Sequence, residues 1–541
     1  MRPAGFEGPG VDLPAQRGPT AGHAAGGVGR PPACYSACVL ILLTACAPLP
    51  IRPTLDDTDP ADTDADTDAD TDSDTDADSD TDSDTDTDTD TDADTDTDPI
   101  ECSWPAPDQP DDRALATNVS GRQETTTVNG YTDAYLYDAT DYLKVGVRED
   151  WGGSVVFFGL ADGAEGVNAS NTIDGNDTGR EVQIALYDPD RAMQGCAWDA
   201  SCAVTASTCP VSITYLGWNP VQGGNRCNNG SGVDTVGATA DGGLTLTTTP
   251  LHWNPDWNAT DCTSDGCEDS GTAWLAGEIE LTQTLRFART HVVELRYTAT
   301  ETAGLSHGWT YHEMPTLYTS NGTAGPDLWR LLLSDGTQVT IDTPGNDGFY
   351  YENAVSPEPW VTLQDDGGTY GVGILYENGV TDFQGWQNRS LPFNNVRALF
   401  PFAIPAWGTV NARAYLLIGS YETIRSEASA VLAGLAPFGT LDAPADGASV
   451  SATMEISGWA LDNRGVTNVV ARVDEGAETT LSYGSARPDV ALAWPGYPGG
   501  DGVGYTGSVT LSAGACHLVE IVATDADGNA RTIDRALVTV R

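Results

Sequence analysis

Residues 277–287 read "GEIELTQTLRF", and residues 291–300 read "HVVELRYTAT". In the first stretch Ile279, Leu281 and Leu285 alternate with polar residues, and the second repeats the habit after a short turn. A period of two puts every other side chain on one face, the pattern of a strand half-buried against a core. Working outward, "YLKVGVRE" (142–149), "GSVVFFGL" (153–160), "REVQIALY" (180–187), "LWRLLLS" (328–334), "TQVTID" (337–342) and "ARAYLLIGSY" (412–421) read as further strands. "WVTLQDDGGTYGVGILY" (360–376) reads as a hairpin, with two β-rich arms around Asp365-Asp366-Gly367-Gly368. Helical periodicity is nearly absent. The one good candidate is "TIRSEASAVLAGL" (423–435), with Thr423 as N-cap and Gly434 as its stop.

Many short strands joined by Gly, Asn and Asp turns imply an all-β chain of antiparallel sheets packed face to face. Residues 102–440 are expected to form a large β-sandwich, at the upper size for a single core. Its size is similar to that of the long carbohydrate-active sandwiches of the galactose-mutarotase type, a resemblance of class. Residues 441–541 supply about seven short strands in roughly 100 residues, which suits an immunoglobulin-like sandwich. There the chain resembles bacterial Ig-like repeats through Gly458-Trp459-Ala460-Leu461-Asp462 and "GSARPDVALAWPGYPGGDGVGY" (484–505). Such modules act as spacers or presenters. Asp462, Asp525 and Asp527 near its strand junctions are the candidate calcium ligands, with turn capping as the alternative.

The N-terminal part carries an address. Val39–Leu43 is an apolar run too short to span a bilayer, it follows Arg30, and it ends in Leu43-Thr44-Ala45-Cys46. That ending resembles the lipobox of bacterial lipoproteins, in which the peptide is cut before the cysteine and the cysteine is acylated. Residues 1–46 are therefore expected to be a signal peptide with lipobox, with translation starting near Val28, and Cys46 the lipidation site. The resemblance implies a membrane partner through the lipid anchor, in the outer membrane or at the cell surface.

From Asp62 to Asp98 every second residue is aspartate. Alternating like charges with nothing apolar to bury predict a disordered, extended tether over 47–101, with an outer reach of order 180 Å. The chain carries a net charge of −54. A chain so acidic repels phosphate backbones, which argues against nucleic-acid binding. Of eleven cysteines, Cys196, Cys202, Cys209, Cys227, Cys262 and Cys267 cluster in Asn-, Gly- and Asp-rich loops. Without a paired C-x2-C pattern for zinc, they read as two or three disulfides in an exported chain. Cys102 and Cys516 stay open between pairing and remaining free.

The chemistry-bearing stretches are "NTIDGNDTGREVQIALYDPDR" (171–191), "YLGWNPVQGGNRCNNG" (215–230), "TTPLHWNPDW" (248–257) and "HEMPTLYTSNG" (312–322). They resemble a pattern of secreted bacterial proteins of uncertain activity, covering roughly 142–435. Trp218, Trp253 and Trp257 offer flat apolar faces to pyranose rings. Asp174, Asp177, Arg180, Gln183, Asn219 and Gln222 can hydrogen-bond vicinal hydroxyls. Glu313, His252 and His312 are the candidate acid and base. Each has a plainer role as turn cap, core packing or structural ion pair. The leading expectation is an envelope-anchored protein whose sandwich binds glycan or another envelope polymer. A carbohydrate-active hydrolase or lyase and a purely structural or adhesive protein are the alternatives. Metabolic labelling with a clickable palmitate should tag the wild-type chain and not Cys46→Ala; equal labelling of both contradicts the anchor.

Overall fold

The structure, a computed structural model, describes residues 104, 115, 117–161, 170–175, 181–188, 217–221, 230–253, 277–323, 325–343, 349–388 and 393–541. Cys46, the lipobox, the Asp-rich tether, Cys102 and the six clustered cysteines lie outside them. Cys516 is disulfide-bonded.

The alternation in 277–300 becomes the antiparallel pair Ile279–Arg289 and Val292–Glu301, in register from Ile279↔Glu301 to Phe287↔Val293. These strands lie inside an eight-stranded sheet. Its order is Arg330–Leu333, Trp360–Gln364, Gly371–Tyr376, Thr409–Gly419, Val292–Glu301, Ile279–Arg289, Leu244–Thr248, Thr235–Ala238. Opposite it lies a twelve-stranded sheet. Its main path runs from Ser120–Val128 through Leu143–Arg148, Val182–Tyr187, His307–Thr319, Phe393–Ala398 and Asp382–Asn388 to Phe349–Val355. Ile279, Leu281 and Leu285 meet Val145, Val155 and Phe158 in one core between the two sheets. The rings of Phe158 and Phe287 lie 6.3 Å apart across it. Each such side chain, fully buried, contributes about 1.5–3 kcal/mol.

The hairpin forms as read, Trp360–Gln364 against Gly371–Tyr376. Gly368 takes φ +65° in its turn, and the Asp365 carboxylate accepts from Thr369 N–H at 2.7 Å. Two expectations shift. "TQVTID" makes only an isolated bridge, Leu332↔Gln338, on the outer edge of Arg330–Leu333, with Leu333 N–H donating to Thr337 O and Val339 N–H to Leu331 O. The helix begins earlier, at Tyr421–Gly434, because Ser420 Oγ rather than Thr423 is the N-cap and accepts from Thr423 N–H. Its buried face, Ile424, Ala428, Val431 and Leu432, packs with Trp360 and Tyr415.

The C-terminal sandwich consists of a four-stranded and a five-stranded sheet over a core that includes Ile456, Val469, Val519 and Ile521. Its first strand is Phe438–Ala443. Among the described strands only Ala448–Val450 with Ala530–Val540 pairs in parallel. Both sandwiches belong to one compact unit, residues 94–541.

They are joined by a buried polar knot. Glu377, which follows the strand Gly371–Tyr376, accepts from Arg413 Nη1 at 3.1 Å and from Tyr415 O–H at 2.6 Å. Its third donor crosses from the C-terminal sandwich, Tyr497 O–H at 2.9 Å. The Arg413 guanidinium lies 4.0 Å over the Phe438 ring and 4.7 Å over that of Trp494. Asn378 Nδ2 and Asn411 Nδ2 donate to the carbonyls of Pro495 and Ala493. Gly496, at φ +88°, leaves no room for a side chain, since a Cβ there would lie 2.7 Å from Asn378 Nδ2.

Candidate functional site

The outer face of the twelve-stranded sheet gathers a set of polar and aromatic side chains. Register does the gathering. Gln183, Thr316, Arg397, Gln384 and Asn353 face one another in sequence across five strands. Two residues along, Tyr318, Asn395, Trp386 and Tyr351 form the next row. Antiparallel partners share a face and the strand period is two, so both rows point away from the core. Aromatic contacts continue the second row. Tyr351 and Trp386 lie 4.8 Å apart, Phe349 and Trp386 6.1 Å, Phe349 and Phe393 5.5 Å, and Tyr318 and Phe393 5.6 Å.

Glu313 sits at the edge of this lattice, on His307–Thr319. Its Oε1 accepts from Arg397 Nη1 at 2.7 Å and from Tyr187 O–H at 2.9 Å. Arg397 also donates from Nε and Nη2 to Gln384 Oε1, at 3.1 and 2.8 Å. Trp386 Nε1 donates to the same oxygen at 2.6 Å, which fixes the indole beside the guanidinium. Burial, and then the neighbouring Glu313 carboxylate, push the Tyr187 phenol well above its usual range, so it stays a neutral donor. The cluster offers a carboxylate, a fixed guanidinium, a phenol and an indole side by side.

Of the residues expected at a site, the structure brings Glu313 and Gln183 to this side of the sheet, both as buried side chains. Asp174 is buried nearby and accepts from Asn321 Nδ2 at 3.0 Å, while its own N–H donates to Tyr318 O. Others do not join it. His312 is no acid or base, because both ring nitrogens are committed. Nδ1 accepts from Tyr187 N–H at 3.0 Å, and Nε2 therefore carries the hydrogen that it gives to Phe402 O at 3.1 Å. Burial pulls its pKa down to about 3. Trp218 is not a sugar platform; its ring is fully buried, edge-on to His307 at 4.6 Å. Asn219 is equally buried, and its Oδ1 accepts from Val221 N–H, closing a local turn. His252 and Trp253 form a short strand against Gly217–Trp218, with their side chains outside the described residues. Asp177, Arg180, Gln222 and Trp257 also lie outside them.

Sequence reasoning missed Tyr187, Arg397, Gln384, Trp386 and Tyr351. The signal was present in "DFQGWQN" (382–388), where Gln384 and Trp386 alternate with Phe383 and Gly385 on the opposite face.

The three carboxylates expected to take calcium are otherwise engaged. Asp527 pairs with Arg464 at 3.3 Å, and Asp525 accepts from Asn529 N–H and Nδ2 at 2.8 and 2.7 Å. Asp462 Oδ1 accepts from Arg464 N–H at 2.7 Å. Among the described residues no group of three or more His, Cys, Asp or Glu is placed to hold a metal ion.

Residues 437–496 match the family model described as Bacterial Ig domain. No curated protein matches the chain. Among solved structures, a polysaccharide lyase is similar at 10% identity over 74% of this chain and 47% of its own, TM-score 0.24. The chain thus spans about half the length of that protein. A galactose mutarotase-like protein from Clostridium acetobutylicum is similar at 8% identity over 55% of this chain and 98% of its own, TM-score 0.33. A GalM/aldose epimerase homologue from C. elegans is similar at 7% identity over 52% and 96%, TM-score 0.27.

Asp462 generates a prediction of its own. Burial pushes its carboxyl up to about 7, with Asp525 and Glu377 adding repulsion. Its folded value therefore exceeds the ordinary unfolded value of about 3.9. The stability this contributes is complete below about pH 4 and is lost as pH rises through about 7. Asp462→Asn keeps the acceptor for Arg464 N–H and removes the ionisation. Urea denaturation at about pH 5 and about pH 8 should show wild type losing stability over that interval and Asp462→Asn losing less; identical slopes contradict the assignment.

Proposed function

We infer that this chain is a bacterial envelope protein whose large sandwich binds glycan on the outer face of its twelve-stranded sheet. The observation that carries the reading is the Trp386–Arg397–Glu313 cluster. An indole locked by its own N–H lies beside a charged fork and a carboxylate, on a face that also carries Tyr318 and Tyr351. Sugars present the complementary chemistry in one molecule: C–H faces that stack on rings, rimmed by hydroxyls that take paired hydrogen bonds. The face stays open enough for a guest, since Trp386, Gln384 and Tyr351 are all half-buried. The Bacterial Ig domain match supports a surface or extracellular setting. The lipobox sequence at Cys46 and the Asp-rich tether support display from a membrane.

An enzymatic reading rests on one further observation. Both bonds to Glu313 fall on Oε1, and Oε2 has no hydrogen-bond partner among the described residues. A carboxylate oxygen so placed can accept a proton from a bound sugar or from water. Binding and turnover then share one surface and separate by experiment.

Glycan arrays followed by isothermal titration of the full chain should find a polysaccharide bound at millimolar concentration or better. Trp386→Ala should weaken it about tenfold, equivalent to ~1.4 kcal/mol. No binding of any polysaccharide at that level contradicts the proposal and leaves a structural or adhesive role. Product release by wild type that Glu313→Gln abolishes makes the chain an enzyme; absence of release, or release unaffected by the substitution, rejects catalysis at Glu313.

A further inference from the structure

The strand His307–Thr319 runs on past Glu313 toward its own start, and there two large rings stand in solvent. Tyr311 is 53% exposed and Trp309 66% exposed, although His307 and His312 on either side of them are buried. Side chains two residues apart share a face of a strand, so Tyr311 and Trp309 fall in line behind Glu313 at roughly 6.6 Å intervals.

The neighbouring strand completes a platform beneath them. Phe400, Phe402 and Ile404 enter the core, which leaves Pro401 and Ala403 facing outward, both partly exposed. Tyr311 lies directly opposite Pro401. Between Thr310↔Phe402 and His307↔Ile404 the register slips by one residue, so Gly308 and Trp309 together oppose Ala403. A bulge of this kind re-aims a side chain. Here one of its two residues is a glycine and the residue across is an alanine, so neither crowds the indole. At the other end, Trp386 shares a row with Tyr318. Nine residues separate Tyr318 from Trp309, and at about 3.3 Å per residue the line from Trp386 past Glu313 to Trp309 is about 30 Å long, the reach of several sugar rings.

Area, charge and shape each narrow the guest. Two aromatic side chains offer at most about 500 Å², against roughly 800 Å² from each partner in a stable protein interface. Trp309, Tyr311, Pro401 and Ala403 are uncharged, and the Glu313 carboxylate is matched by Arg397 at 2.7 Å. The chain as a whole carries −54, which repels a polyanion. A neutral polymer is left. Rings strung along a strand lie on a nearly straight line over an open sheet, with nothing to wrap a helical guest. A β-1,4-linked glucan is a straight, flat ribbon whose C–H faces can rest on such rings while its hydroxyls stay in water; an α-1,4-linked glucan coils away from the line.

We propose that, resting on glycan binding at the Trp386–Arg397–Glu313 cluster, Tyr311 and Trp309 extend that site into a track for the interior of a neutral, ribbon-like glycan of the β-1,4-linked glucan class. The cluster holds one or two rings by hydrogen bonds and stacking, and the two exposed rings add affinity only for a guest long enough to reach them.

The test is isothermal titration of the full chain with cellohexaose, with cellobiose and maltohexaose as the comparison probes. Cellohexaose should bind at least about tenfold more tightly than either. Trp309→Ala and Tyr311→Ala should each weaken cellohexaose about three- to tenfold, the loss expected of one stacked ring, and leave cellobiose within about twofold. Trp386→Ala should weaken both. Trp309→Phe, which keeps a ring, should retain most of the affinity, and thermal melts establish that the variants fold. Cellohexaose binding no tighter than cellobiose or maltohexaose overturns the track, as does a folded Trp309→Ala that binds cellohexaose unchanged. Glycan binding at the cluster survives either result. It also survives if another polysaccharide binds and cellohexaose does not, which overturns the ribbon class. Sedimentation velocity supplies the remaining outcome: a wild-type dimer that Trp309→Ala dissociates gives the two rings to a second copy of the chain and overturns the track.

Discussion

The carboxylate of Glu377 holds the two sandwiches in one arrangement. It is almost fully buried, as is Arg413, and its three donors come from two domains. A charge in that position has no water to fall back on. Removing one partner of such a pair costs about 3–5 kcal/mol, because the remaining charge stays buried and uncompensated. Tyr415 and Tyr497 remain neutral donors, since burial and then the same carboxylate raise both phenols well above their usual range. The C-terminal sandwich, whose family resemblance suggested a spacer, is therefore fixed against the larger one. Its Trp494 becomes a wall of the larger sandwich's surface.

The two outer faces of the large sandwich owe their character to the same geometric rule. Apolar side chains on alternate positions fill the space between the sheets, and whatever stands between them in sequence must face outward. On the twelve-stranded sheet that remainder is aromatic and ionic, with Arg397 and Glu313 closing an ion pair of 2.7 Å between neighbouring strands. On the eight-stranded sheet it includes a row of threonines beside the Arg286–Glu294 and Arg413–Glu377 ion pairs, partly covered by the helix Tyr421–Gly434 and by the C-terminal sandwich. One core thus supports two chemically different surfaces.

Strands were legible wherever apolar and polar residues alternated, as from Ile279 to Leu285, because that signal is local and the burial follows it residue by residue. The hairpin at 360–376 was legible for the same reason, together with its Asp-Gly turn. The site was legible only in part. Glu313 reaches its place by pairing with a residue 84 positions away, and Tyr497 meets Glu377 across 120. No pattern within a short window reports such contacts. His312 and Trp218 stood out because of their residue types, and packing decided otherwise: one has both nitrogens bonded and the other is sealed in the core. Gly496 shows the limit from the other side. Within "PGYPGG" it reads as an ordinary turn residue, yet its missing side chain is what admits Asn378 at the domain junction.

If Glu377 unites the sandwiches, they must unfold together. Differential scanning calorimetry of the full chain should show the two sandwiches melting in a single cooperative transition, and Glu377→Gln should lower it and separate it into two. Two independent transitions already present in the wild type, with Glu377→Gln leaving both unmoved, would contradict the joint.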